Sequence, residues 1–272
     1  MADILSPDII AKIRFVPIRV AAQIKGKSTQ SVHYNIKNGK VYFIRIGDEF
    51  RVAVWEREYE DYLRKINHSR GDKYNMPSDA IMALLRNDYA DILYSEIRLE
   101  DAGADYDEVK NLVEGRVASN LTGSEVVRID NLKASWDIVI NSSNVAFDMK
   151  FLKKVNAALG EGLAADAGIV QLSDTSAVVS GIHSILNAEA MTTTDKVVSL
   201  VLHLMRNPLF SENNTLTAHL AVNKLMLSGG AGLFVVPENL LNEFESLFSK
   251  CTRLKDDDKI VQFIYDNCIM GE

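Results

Sequence analysis

Cysteine is scarce in this chain: two occur in 272 residues, Cys251 and Cys268, both within apolar patterns of helical spacing. A disulfide scaffold is thereby excluded, and the pair reads as small core residues in a reducing compartment. Long apolar runs are missing as well. No stretch reaches the ~20 apolar residues that cross a bilayer, and the opening MADILSPDII has no basic region leading into an apolar one. The expectation is a cytoplasmic protein without a membrane partner. Against these absences stand 47% hydrophobic and 25% charged residues, a composition that excludes disorder and collagen and suits one or two globular domains.

Charge is unevenly spread. Residues 1–70 carry a net charge of +5, and the remainder carries −12. Such asymmetry hints that one part meets an anion. The stretch from Asn67 to Pro77 lacks apolar periodicity and holds Gly71 and Pro77, so it reads as a linker between domains 1–70 and 71–272.

Before that boundary, Ile18–Lys25 and Thr29–Lys37 read as short helices, with Ser28 or Thr29 capping the second. The period then changes: Val41–Ile46 and Phe50–Trp55 are β-rich runs around Gly47-Asp48-Glu49, and Glu58–Ile66 returns to helix. Helix, turn, helix, two-stranded wing, helix is the order of a winged helix-turn-helix. The run from Val16 to Val52 also resembles excisionase and MerR-like DNA-binding domains. That resemblance implies duplex DNA as a partner, with Gln30, Ser31, His33, Tyr34 and Lys37 as candidates for base or phosphate contact and Lys27 supplying charge to phosphates. Lys25, Lys40, Arg45 and Arg51 would supply charge to phosphates. Acidic Asp48-Glu49 at the wing tip departs from the pattern, and leaves a docking or dimerisation element as the other reading.

The larger domain is mainly α. Helices are expected over Ser78–Tyr94 and Asp105–Ala118, from a Thr122/Glu125 capping box onward through Trp136, and over Phe147–Leu159. Lys196–Met205 and Thr217–Leu227 are apolar nearly all round and read as two buried central helices, with Leu240–Phe248 and Lys259–Ile269 completing the set. The alternation IVQLSDTSAVVS between Gly168 and Gly181 reads as a β-hairpin, the one sheet expected here.

Between the two apolar helices lies Arg206–Thr215, a polar loop feeding a helix N-terminus. Such an end attracts anions, although Asn214 or Thr215 serving as an ordinary N-cap is the plainer reading. The words NPLFSENNTLTAHLAVNKLMLSGGAGLFVVP are similar to the signature of the Fic (Fic/Doc) family, H-P-F-x-[D/E]-G-N-G-R-x-x-R and its following helix. Phe210, Glu212 and Asn214 fall on matching positions. The resemblance, spanning roughly residues 80–250, implies a helical fold with a hairpin flap at 169–180 (Val170, Leu172, Ala177, Val179). It also implies an inhibitory segment ending in Glu114-Gly115, and transfer of AMP from ATP and Mg²⁺ to a protein hydroxyl.

The chemistry-bearing positions are altered. Pro208 stands where the family's general-base histidine belongs, Leu216 and His219 replace the phosphate-clamping arginines, and Asn213 and Thr215 replace the glycines. Loss of a base alone costs ~10²–10⁴-fold. A remnant nucleotide site would comprise Glu212, Asn214, Thr215 and His219, with Glu212 as its metal ligand. His203, five residues before Pro208, is a candidate substitute base. Three functions follow from the residues and the resemblance: a catalytically silent regulatory or signalling protein with a DNA-binding or docking module, possible as a homodimer; an adenylyltransferase with an unorthodox site; or an adaptor taking a target protein at the flap.

Overall fold

The computed structural model describes residues 9, 12–59, 71–100, 103–254 and 257–272. The chain divides into two compact units, Met1–Ser69 and Arg70–Glu272.

The N-terminal unit comprises β1 (Ile13–Pro17), α1 (Ile18–Ile24), α2 (Thr29–Lys37), β2 (Phe43–Ile46) and β3 (Glu49–Trp55). Ser28 starts α2, its Oγ accepting from the Ser31 amide at 3.2 Å. Val32 and Ile36, one turn apart, face a small core of Val16, Ala21, Ala22, Val52 and Val54. The sheet is antiparallel in the order β1-β3-β2. Strand β1 was not expected from the sequence; it pairs Ile13 with Trp55 and Val16 with Val52. Expected helix Glu58–Ile66 lies largely outside the described residues, with Glu56–Tyr59 helical.

The C-terminal unit is mainly helical. The expected helix Ser78–Tyr94 is instead two, α3 (Ser78–Asn87) and α4 (Tyr89–Leu99), because Asp88 leaves helical geometry at φ −102°, ψ 14°. Helix α5 (Tyr106–Val113) stops short of Ala118, and Gly115 follows it at φ 74°. Helix α6 (Gly123–Ile140) opens on the expected capping box, with the Thr122 amide donating to Glu125 Oε2 at 2.7 Å. Helix α7 (Met149–Leu159) follows, capped by Asp148, which accepts from the Phe151 amide at 2.9 Å.

The segment expected as a hairpin is not one. Residues 169–175 form no strand, and Ser176–Leu186 is helix α8, whose buried Val178 and Ile182 lie four residues apart. Helical spacing of those two side chains against the core overrides the alternation read from the sequence. Helix α9 (Thr193–Arg206) opens on a second capping box, Thr192 with Asp195. Helix α10 (Asn214–Gly229) is buried on every side from Leu216 to Lys224 and packs against α6, α7 and α9. Strand β4 (Leu233–Phe234), α11 (Leu241–Leu254), α12 (Asp258–Asn267) and β5 (Ile269–Met270) complete the unit, β4 pairing antiparallel with β5. Fully buried Trp136, Phe151, Phe234 and Phe244 dominate the core, each such side chain contributing roughly 1.5–3 kcal/mol by burial.

Asn223 ties the central helix to this ribbon. Its Oδ1 accepts from the Phe234 amide at 2.7 Å and its Nδ2 donates to the Phe234 carbonyl at 2.8 Å. A fully buried amide is tolerated there because all of its polar atoms are partnered.

Candidate functional site

The loop between α9 and α10 bonds chiefly to itself and to its neighbours. Asn214 is not the N-cap; Asn213 is, held at φ 57° with no side-chain cap. The Asn214 amide instead reaches back, its Oδ1 accepting from the Leu209 and Phe210 amides at 2.8 and 2.9 Å and its Nδ2 donating to the Phe210 carbonyl at 2.7 Å. Two backbone N–H groups of the loop are thereby satisfied from within.

Asn156 on α7 organises the underside. Its Nδ2 donates to the Glu212 carbonyl at 2.9 Å and to Thr217 Oγ1 at 3.0 Å, and its Oδ1 accepts from the Gly168 amide at 2.8 Å. Thr217 Oγ1 donates in turn to the Asn213 carbonyl at 2.6 Å. Glycine is required at 168, since a Cβ there would lie 2.9 Å from the Lys153 carbonyl and φ is 76°. Asp166 takes the Ser211 hydroxyl and the Gln171 side-chain amide, both at 2.8 Å, while the Gln171 backbone N–H donates to the Leu209 carbonyl at 2.8 Å. Asn156, Asp166 and Gln171 were not among the residues expected at the site. The available signal was a polar Asn156 on the face otherwise made of Phe151, Leu152, Val155 and Leu159.

Of the residues expected to hold a nucleotide, His219 is turned into the core. His219 is buried at 1% exposure, edge-on to Phe234 and Phe244 with ring centroids 4.9 and 5.7 Å away, and neither ring nitrogen has a partner. Burial lowers its pKa to about 3, so the ring is a neutral member of the core rather than a phosphate donor. This face of α10 packs against β4 and α11, which arrive from later in the chain. Leu216 is buried, and Thr215 is half-buried in the first turn of α10.

Glu212 keeps an exposed side chain. Burial raises the carboxyl pKa of nearby Glu100, with Arg128 opposing and the negative charge of Glu212 adding to the rise. Among the described residues no three His, Cys, Asp or Glu side chains come together as a metal site. The cavity under the loop, lined by Leu152, Leu204, Asn207, Leu209, Phe210, Asn214, Thr217 and Ala218, measures about 10 Å³. That is room for one water, against the several hundred Å³ of ordinary ligand pockets. Pro208, Leu216 and the buried His219 offer bound ATP with Mg²⁺ neither a base nor a cation.

His203 does not replace the missing base. Its Nε2 lies 3.0 Å from the Val178 carbonyl, and its ring fills the space over Gly181. Pro208 is exposed at the loop's start. Glu114 and Gly115 lie at the C-terminal end of α5, where Glu114 pairs with Arg116. Of the flap residues, Val170 packs on the core, Leu172 is exposed, and Ala177 and Val179 lie on α8. With no hairpin at 169–180, the expected strand edge for a target protein is absent there.

In the N-terminal unit, Gln30, His33, Tyr34 and Lys37 are all exposed and share one face of α2, opposite buried Val32 and Ile36. Lys27 is exposed in the preceding turn; Ser31 is half-buried. In the β2–β3 hairpin Arg45 pairs with Asp48 and Arg51 with Glu49, each at 3.1 Å, and Lys25, after α1, pairs with Glu58 at 2.8 Å. Lys40 lies over the Tyr34 ring, 5.7 Å from its centroid.

Solved structures share this helical arrangement. A fragment of Fic-1 (residues 134–508) from C. elegans superposes with a TM-score of 0.60 at 16% identity, over 78% of this chain and 67% of that one. The fold is that of a Fic domain. A Fic-domain-containing signaling protein from Bacteroides thetaiotaomicron gives 0.60 at 12% identity over 70% and 87%, and a Fic family protein from Desulfovibrio desulfuricans 0.56 at 10% over 68% and 63%. No family model matches the sequence, and no curated protein does. Identities this low speak for the Fic fold and not for a Fic reaction. Among the described residues no helix is long and apolar enough to cross a membrane.

Proposed function

We propose that this chain is a Fic-fold regulatory or signalling protein without AMP-transfer activity, joined to a module that docks on duplex DNA. The observation that carries the first half is His219, which is buried at 1% exposure against Phe234 and Phe244 where the resemblance implies a phosphate clamp. Pro208 brings no base and Leu216 no cation to make up the difference. Incubation with labelled ATP and Mg²⁺ tests this. The expected result is no transfer to the chain itself or to added protein; incorporation abolished by Glu212→Ala would sink the reading.

The DNA half rests on the exposed stripe Gln30, His33, Tyr34 and Lys37, which gives α2 a polar outer face of the length a groove accepts. A gel-shift titration at two salt concentrations is the test. Binding that weakens steeply with salt, and weakens again in Lys27→Glu and Lys37→Glu, is expected. Absence of salt-sensitive binding would leave the module as a protein-docking element.

A further inference from the structure

The open edge of the wing carries an inference independent of DNA. Among the described residues β2 is an edge strand, and all four of its residues are exposed. Ile46 is 60% exposed, with Tyr42, Phe43 and Ile44 also well exposed, an unusual concentration of large apolar side chains for an edge.

The hairpin fixes which backbone groups are unspent. Ile46 and Glu49 flank the Gly47-Asp48 turn, Ile44 faces Arg51, and the Tyr42 carbonyl accepts from the Ala53 amide at 2.8 Å. Tyr42, Ile44 and Ile46 therefore turn their peptide groups toward β3, and Phe43 and Arg45 turn theirs outward. Directly opposed residues of an antiparallel pair share the same sense, so a strand added at this edge must bring outward-turned residues opposite Phe43 and Arg45.

We propose that the strand added here is β2 of a second copy of this chain, paired antiparallel about a twofold axis through Ile44. That register sets Phe43 against Arg45 of the other copy, and the reverse, giving four backbone hydrogen bonds in two reciprocal pairs. Side chains agree with it on both faces. Ile44 meets Ile44, Tyr42 meets Ile46, and each Phe43 ring lies beside a guanidinium. At the ends Lys40 comes alongside Asp48, so opposite charges meet. A twofold through Arg45 would instead oppose two like charges, and one through Phe43 would draw on Val41, outside the strand. The two three-stranded sheets become one sheet of six, and neither β2 edge is left open.

Light scattering and cysteine cross-linking on the full chain test the register. At about 100 µM the chain should show twice the 30.3 kDa of one copy. Ile44→Cys should form a disulfide-linked dimer under mild oxidation, since the two residues form a non-hydrogen-bonded pair with Cα atoms about 4.5 Å apart, within the span of a disulfide. Tyr42→Cys should not, and the native Cys251 and Cys268 are buried. Phe43→Pro removes an outward N–H that makes no bond within the hairpin, and should return the chain to the monomer mass with an unchanged circular dichroism spectrum. A monomeric wild type, equal cross-linking of the two cysteine variants, or a dimer that survives Phe43→Pro in a folded chain would each overturn the proposal.

Discussion

Asn214 and Phe210 exchange two hydrogen bonds, side-chain oxygen to backbone N–H at 2.9 Å and side-chain nitrogen to carbonyl at 2.7 Å. The loop is built around that exchange. Asn214→Ala leaves the amides of Leu209 and Phe210 without an acceptor and should cost about 2–3 kcal/mol in urea denaturation. Asn214→Asp keeps the acceptor and loses only the donor, so its cost should be the smaller of the two. Equal losses would mean that the oxygen is not what holds the loop.

Gly181 on α8 lies directly under the His203 ring on α9: a Cβ at 181 would stand 2.3 Å from His203 Cε1. Gly181→Ala should therefore destabilise by about 1–3 kcal/mol through overpacking. In a His203→Ala background the same change should cost less, a coupling of at least about 0.5 kcal/mol in a double-mutant cycle. Additive effects would contradict the packing described.

His219 makes the fold acid-sensitive. Its pKa is lowered from 6.5 to about 3 by burial, so the unfolded chain takes up a proton that the folded chain refuses. Stability is complete above the unfolded value and is lost as pH falls from about 6.5 toward 3, at up to about 1.4 kcal/mol per unit. His219→Leu should flatten the urea midpoint over that window. An unchanged slope would show that other groups set it.

Glu96 works in the opposite direction. Both carboxyl oxygens are buried without partners, and burial raises the pKa well above 4.5. A raised carboxyl pKa gives stability that is whole below 4.5 and lost as pH rises toward the folded value. Glu96→Gln should raise the melting temperature at pH 8, with an advantage that shrinks as the pH is lowered to 4.5. A uniform shift at all pH values would point to packing instead.

Much of the larger unit was legible because its helices announce their starts. Thr122 with Glu125 is one such signal, and Thr192 with Asp195 was equally readable though the expected helix began only at Lys196. The 169–180 hairpin misled because alternation over a dozen residues competes with the i, i+4 spacing of Val178 and Ile182, and only the core decides between them. Strand β1 was invisible for a related reason: five residues ending in Pro17 acquire strand character from pairing with β3, some forty positions away. At the site, that Pro208 carries no base and Leu216 no cation could be read directly from the residues. The fate of His219 could not, since it depends on Phe234 and Phe244 arriving from later in the chain.

The two hydrogen bonds between Asn223 and Phe234 let one side-chain amide stand in for a third strand on the edge of β4 that faces away from β5. A turn of α10 about its axis would break both bonds, so the central helix and the ribbon are held in one register.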